Sequence, residues 1–358
     1  MRLPMVKSVL VVALVALLGA GMVSTVNIGG VGAQEAQLGT RENPIIWLFP
    51  PSTQPATVKE ISAKIAQDIS EMTGYYIQAV VAADYSALIE AMVAAQGDHM
   101  AVPTTNQYVE ITKDNPGVHA RLAAVRYGYP YYFSSIYAFR DKGFKSVEDL
   151  QGKVWIYNDP GSTSGYKLPK LLFDKLGITF SGTVESGGHT NSVVALMEEQ
   201  GDFATGYGSP PLPPAAIADA LKAAGLRWEY GMDPEKWLWD RWNNALEPDG
   251  WRGTCVDLRR ALAKTELYGD IWEIVEKVGV VATIGPVPND SIAFAAGFPK
   301  EIEDTLVQAI IQHIRSPEGQ ALWGDPNFYE WTDVEEIDDS YYDSYRELLG
   351  YPIPQRGG

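Results

Sequence analysis

The chain of 358 residues holds a single cysteine, Cys255, so no disulfide can form within it. A chain this long does not need one to hold a core. Histidine is scarce too. The four, His99, His119, His189 and His313, have no partners at metal-ligand spacing, which excludes the usual zinc patterns. Basic charge is short: 28 Lys and Arg stand against 45 Asp and Glu, a net charge of −17. A field of that sign opposes nucleic acid and anionic membrane surfaces. Catalytic signatures are missing as well. The Gly161-Ser162-Thr163-Ser164-Gly165 run has Thr at the centre, where a hydrolase nucleophile elbow needs Ser. Residues 161–167 lack the Gly-Lys-Ser/Thr of a P-loop. Cys255 has no evident base and reads as a core thiol. The expectation is a non-enzymatic chain with no metal and no cofactor.

What is present is globular: 46% hydrophobic and 20% charged residues, enough for about two domains. Residues 7–18 start basic and turn strongly apolar, and Val31-Gly32-Ala33 fits the small-x-small rule before a cleavage at Gln34. Residues 1–33 therefore read as an export signal. The apolar run 8–26 is also marginally long enough to span a bilayer, so an uncleaved anchor stays as the alternative. No Cys lies near the cleavage point, which closes the lipoprotein route. Without 1–33 the chain keeps 26 basic and 45 acidic residues, a net charge of −19. Any anion site is then expected to work through local donors rather than a basic surface.

After a polar linker, 34–43, the apolar pattern alternates between strand and helix. Residues 45–49 read as a buried strand, 57–72 as a helix stopped by Gly74, 75–81 as a strand, and 85–93 as a helix capped by Asp84. Met100-Ala101-Val102 is a short strand. Such alternation makes right-handed βαβ units and parallel pairing. Residues 121–140 read as one or two long strands crossing between domains. A second βαβ set begins at Lys153. Residues 206–280 differ, holding six of the ten Trp, and read as mostly helical. Strand pattern returns over 281–295, a helix over 299–314 and a Tyr-rich helix over 341–349. The expected architecture is two α/β lobes, each a mainly parallel sheet flanked by helices: 44–130 with 290–358, and 131–289 carrying the insertion 206–280. The carboxyl ends of both sheets would share a cleft, with a hinge near 129–133 and 284–290.

The richest stretch is Asp159-Pro160-Gly161-Ser162-Thr163-Ser164-Gly165, between a strand at 154–157 and a helix over 166–176. A helix start exposes unpaired N–H groups and the positive end of its dipole. One Ser there is an ordinary cap. Three hydroxyls between two glycines point to a seat for a small tetrahedral anion that needs no Lys or Arg. Tyr85 sits on an apolar helix face, where packing explains it, yet at the first turn its O–H can also reach a cleft. Ser52 and Thr53, and likewise Thr104 and Thr105, either cap helices or donate to a ligand. His189 follows two glycines at a helix start, where the dipole favours the neutral ring. Asp290 either closes an Asx-turn or accepts a proton from an oxyanion or pairs with an amine. Residues 335–339 carry a charge run that reads as a solvated face.

These stretches together resemble the substrate-binding proteins of phosphonate, phosphite and phosphate ABC importers. Asp159 to Gly165 is similar to the family signature, and Asp84-Tyr85-Ser86-Ala87-Leu88-Ile89 to its first-lobe Tyr segment. Gly188-His189-Thr190-Asn191-Ser192 and Asp202-Phe203-Ala204 follow in matching order, and Ser316-Pro317-Glu318-Gly319 is a weaker common trait. The similarity covers about residues 45–210 and 281–325. It implies a type II periplasmic-binding-protein fold closing over an oxyanion. It also implies a seat at Ser162, Thr163 and Ser164, contacts from Tyr85 and His189, and a hinge-side acid, Asp290. The implied partners are a small phosphorus oxyanion and an ABC permease, with the protein exported and monomeric. A sensory module, a sulfonate binder and a hydrolase are the alternatives. Two features depart from the family pattern: the long Trp-rich segment, and Gly206 to Pro211, which replaces a polar segment that carries an acidic residue in aminoalkylphosphonate binders.

Overall fold

The computed structural model describes residues 37–53, 55–212, 228, 232, 256–263, 265 and 267–355. The expected export signal, most of the Trp-rich stretch and Cys255 lie outside the described residues. The chain opens with β1 (Ile45–Phe49), α1 (Pro55–Thr73), β2 (Ile77–Val81), α2 (Tyr85–Ala94), β3 (His99–Ala101), α3 (Thr105–Asp114) and β4 (His119–Val125). It then crosses to β5 (Tyr131–Phe139) and β6 (Val154–Tyr157). A π-helical turn, Thr163–Lys167, runs into α4 (Leu168–Leu176), followed by β7 (Gly182–Glu185), α5 (His189–Met197) and β8 (Phe203–Gly208). Next come α6 (Arg260–Ala263), α7 (Ile271–Lys277) and β9 (Val278–Pro288). The chain returns through β10 (Ser291–Phe294), α8 (Lys300–Ile314), α9 (Pro317–Trp323), β11 (Asp333–Glu336) and α10 (Asp343–Leu349).

Two sheets result, ordered β11-β4-β10-β3-β1-β2 and β7-β6-β8-β5-β9. β1 pairs β2 and β3 in parallel, and β6 pairs β7 and β8 in parallel, as βαβ units require. The remaining pairings are antiparallel: β10 with β3 and β4, β11 with β4, and β5 with β8 and β9. The two-lobe α/β fold holds, but its sheets are mixed rather than mainly parallel. Apolar periodicity marks a strand without giving its direction, and the late-returning segments enter reversed.

Alternation along the central strands gives each sheet two buried faces. Ile45, Trp47 and Phe49 pack towards α1 and α8, while Leu48 and Ala101 face α2 and α3. The Trp323 ring lies 5.9 Å from Trp47 and stacks on Trp331 at 5.2 Å. In the second sheet Trp155 packs on Phe173 and Phe203, and its neighbour Ile156 faces Val193 and Leu196. Truncating a buried ring of this size to alanine costs about 3–5 kcal/mol, so these clusters hold the strand ends in place.

Two segments cross between the sheets: 126–130, joining β4 to β5, and 289–290, joining β9 to β10. Asn289, fully buried, binds them together, donating from Nδ2 to the Ala124 and Tyr129 carbonyls at 2.8 and 3.0 Å. The acidic run near 335–339 is only partly a solvated face. Asp339 accepts from the Tyr108 hydroxyl at 2.8 Å and pairs with Arg346, which is 2% exposed. Those partners are distant in sequence or belong to the next helix, and a local charge count does not see them.

Candidate functional site

The ends of the parallel strands bring four helix starts to one cleft. β2 leads into α2, capped by Asp84, whose carboxylate accepts from the Ala87 N–H at 2.8 Å. β3 leads into α3, where Thr104 and Gln107 form a reciprocal capping box. β6 leads to Ser162, which caps the π-helical turn by accepting from the Gly165 N–H at 3.1 Å. β7 leads to α5, which starts at His189 behind Gly188 and has no side-chain cap. Each start turns N–H groups and a positive dipole end inward. Glycine is required at two of these approaches. A Cβ on Gly165 would lie 1.7 Å from Asn158 Oδ1, and one on Gly161 would lie 2.6 Å from the Tyr85 Cβ in the facing lobe.

The cleft encloses about 90 Å³, a space for a small solute. Thr53, Tyr85, Thr104 and Asp290 line it from the first lobe, and Ser162, Thr163, Ser164 and His189 from the second. The structure thus brings all eight sequence-derived candidates together. Their hydroxyls are not equivalent. Ser164 Oγ has no partner among the described residues, and its carbonyl accepts from Ser134 at 2.6 Å. The Thr163 hydroxyl is taken up between the lobes: it accepts from the Asn106 N–H at 3.0 Å and lies 3.4 Å from Thr104 Oγ1. Tyr85, 2% exposed, donates to Ser52 Oγ at 3.1 Å. Burial raises its pKa well above the ordinary tyrosine value, so it stays a donor. Thr53 donates outward, to the Asn327 carbonyl at 3.0 Å.

His189 is 7% exposed, and burial lowers its pKa to about 4. The ring is neutral at pH 7, as its place at a helix start requires, and its Nδ1 has no partner among the described residues. Asn158 Nδ2 lies 3.5 Å from its Nε2. A neutral imidazole there offers one N–H to an anion without adding charge.

The family model for "ABC transporter, phosphonate, periplasmic substrate-binding protein" matches residues 48–342. The chain belongs to this family of phosphonate-transporter binding proteins. One relative, the phosphate-import protein PhnD of Mycolicibacterium smegmatis, is 26% identical over 215 residues. That match spans 56% of this chain and 66% of the relative's length. A solved binding component of an ABC phosphonate transporter from Pseudomonas aeruginosa superposes with a TM-score of 0.62 at 19% identity, covering 86% of this chain and 85% of that one. PhnD1 from Prochlorococcus marinus, solved with methylphosphonate, gives 0.57 at 11% identity, covering 86% and 97%. At those identities the likeness shows the fold. The family is one of binding proteins rather than enzymes, and its periplasmic setting puts the chain outside the cytoplasm. Among the described residues no helix is long and apolar enough to cross a membrane, and no cluster of His, Cys, Asp and Glu suits a metal.

In this family member one functional group escaped the sequence reading. An anion seat free of Lys and Arg was expected, yet Arg126 lines the cleft. Its Nη2 meets Asp290 Oδ2 at 2.6 Å, Nη1 meets Asn289 Oδ1 at 2.9 Å and Nε meets the Tyr329 carbonyl at 2.9 Å. Burial opposes its charge, but the adjacent Asp290 carboxylate outweighs that and holds its pKa above the usual arginine value. Asp290 is therefore the partner of a guanidinium. Glu330 on the same wall is also paired, with Arg260 of α6 at 2.8 Å. Arg126 carries no motif, and its partner lies 164 positions away. The one available signal was an arginine placed at the crossing of an acidic chain.

Proposed function

We propose that the chain captures a small phosphorus oxyanion, a phosphonate, phosphite or phosphate, between its lobes and delivers it to the permease of an ABC importer. One observation carries this reading: helix starts from both lobes converge on a small cleft whose free donors among the described residues are hydroxyl, backbone and neutral imidazole groups. Such a set stabilises negative charge without a basic surface. Ser162 and Ser164 would supply O–H donors, Thr163 its backbone N–H, and His189 one ring N–H from the second lobe. Tyr85 would close from the first, while Thr53 and Thr104 shape its rim. The Mycolicibacterium relative, named for phosphate import, supports the class. The lobes are taken as 44–130 with 290–358 and as 131–289, turning about the crossings at 126–130 and 289–290. The protein is taken as a monomer exported with loss of residues 1–33.

Calorimetric titration of the purified protein with phosphate, phosphite, methylphosphonate, sulfate and methanesulfonate tests the reading, with native mass spectrometry for any co-purified anion. The expected result is tight binding of at least one phosphorus oxyanion. Tighter binding of the sulfur acids sinks it.

A further inference from the structure

We infer that Arg126 and Arg260 set the substituent specificity of the cleft. By saturating its two carboxylates, they deny an ammonium-bearing ligand any counter-charge and restrict the site to oxyanions whose substituent is absent or neutral. The inference rests on the phosphorus-oxyanion reading above and narrows it.

Among the described residues two acidic side chains line the cleft, Asp290 and Glu330, and each is closed off by a guanidinium. The Arg126 and Asp290 side chains are both 16% exposed, and every nitrogen of Arg126 has a protein acceptor. Arg260 reaches across from the second lobe to Glu330 and also donates to the Tyr127 hydroxyl at 3.0 Å. An entering ammonium would lose its hydration and meet carboxylates already neutralised, with two like charges beside them. An unpaired charge in such a place is strongly disfavoured.

Aromatic faces are the other refuge for a cation, and four of the aromatic rings lining the cleft already have ring or cation partners. The Tyr132 ring lies under the Arg126 guanidinium at 5.9 Å. Phe328 and Tyr329 stack on each other at 4.1 Å, and Phe328 packs further on Trp323 at 6.0 Å. The Tyr207 ring is met at right angles by His189 at 5.2 Å. Rejection of the cation thus comes from groups whose partners have been filled, a repulsive element built into the site.

The test compares 2-aminoethylphosphonate with n-propylphosphonate, which differ by an ammonium in place of a methyl, with phosphate as reference. Isothermal titration of the parent protein is expected to favour the propyl ligand by about tenfold or more. Arg260→Gln frees Glu330 at the rim and should cut that ratio about tenfold. Arg260→Gln with Glu330→Gln should restore it, and Arg260→Lys should leave it high. Equal binding of the two ligands by the parent protein overturns the inference whether or not any variant folds. So does a ratio unmoved in folded Arg260→Gln. Binding of phosphate with rejection of both substituted ligands also overturns it, because size would then set the choice. Binding of none of the three removes the parent reading instead.

Discussion

The two walls of the cleft are built on opposite plans. The first-lobe wall is made of groups already satisfied: Arg126 with Asp290, Glu330 with Arg260, and stacked aromatics anchored in the sheet core. The second-lobe wall leaves groups without partners among the described residues: Ser164 Oγ, the His189 Nδ1 and the uncapped start of α5. Both walls sit at strand ends, so position does not separate them. What separates them is whether the polar groups have protein partners. A paired wall contributes shape and exclusion, and an unpaired wall contributes affinity. Changes on the first should therefore register in stability and in which substituent is excluded, and changes on the second in affinity for the oxyanion itself.

The largest expected effect lies on the paired wall. Arg126→Met leaves Asp290 partly buried without its guanidinium and should cost about 3–5 kcal/mol of stability. The control is Arg315→Met, whose pair with Asp333 is 56% and 43% exposed and should contribute under about 1 kcal/mol. Chemical denaturation measures both, and equal losses would dissolve the distinction. Next comes the unpaired wall. Ser162→Ala with Ser164→Ala removes two O–H donors and should weaken oxyanion binding by about 2–4 kcal/mol. Its stability cost should be only ~1 kcal/mol, from the lost cap of Ser162 on Gly165. Calorimetry and melting together decide, and a folded double variant with parental affinity would empty the second wall of its role.

The smallest effect concerns pH. His189 titrates near 4 in the folded chain against 6.5 when exposed, so between those values the unfolded chain binds the extra proton. Stability is therefore full above pH 6.5 and falls as pH drops towards 4. Between pH 7 and 5 this one ring should remove about 2 kcal/mol, and His189→Gln should flatten that part of the profile. A profile unchanged by the substitution would mean that the ring is not held neutral by burial.

Much of this was legible because it is local. The β1-α1-β2-α2-β3 succession follows from apolar spacing, and the caps at Asp84 and Ser162 follow from residue type and place. The cleft candidates were found for the same reason: each sits within a few residues of a strand end. The helix after β6 was expected from Tyr166, and the structure begins it at Thr163 with a π turn, because Gly165 lets the backbone fold over Asn158. The unread features are all long-range. Arg126 meets Asp290, and Arg260 meets Glu330, across stretches that no periodicity connects. The same holds for the antiparallel strands, whose partners are chosen by the assembled sheet rather than by their own pattern.

The Thr163 hydroxyl, held between Asn106 and Thr104, bears on timing. A hydrogen bond that forms only when the lobes meet favours the shut form before any cargo arrives. At about 1 kcal/mol it multiplies the shut population roughly fivefold. Cargo is then held more tightly, because less of the closing cost remains to be met, and an importer that senses shut receptors meets some that carry nothing. Idle cycling of the transporter is the other side of tight retention. Small-angle scattering of the ligand-free protein reads the size of that empty, shut fraction directly.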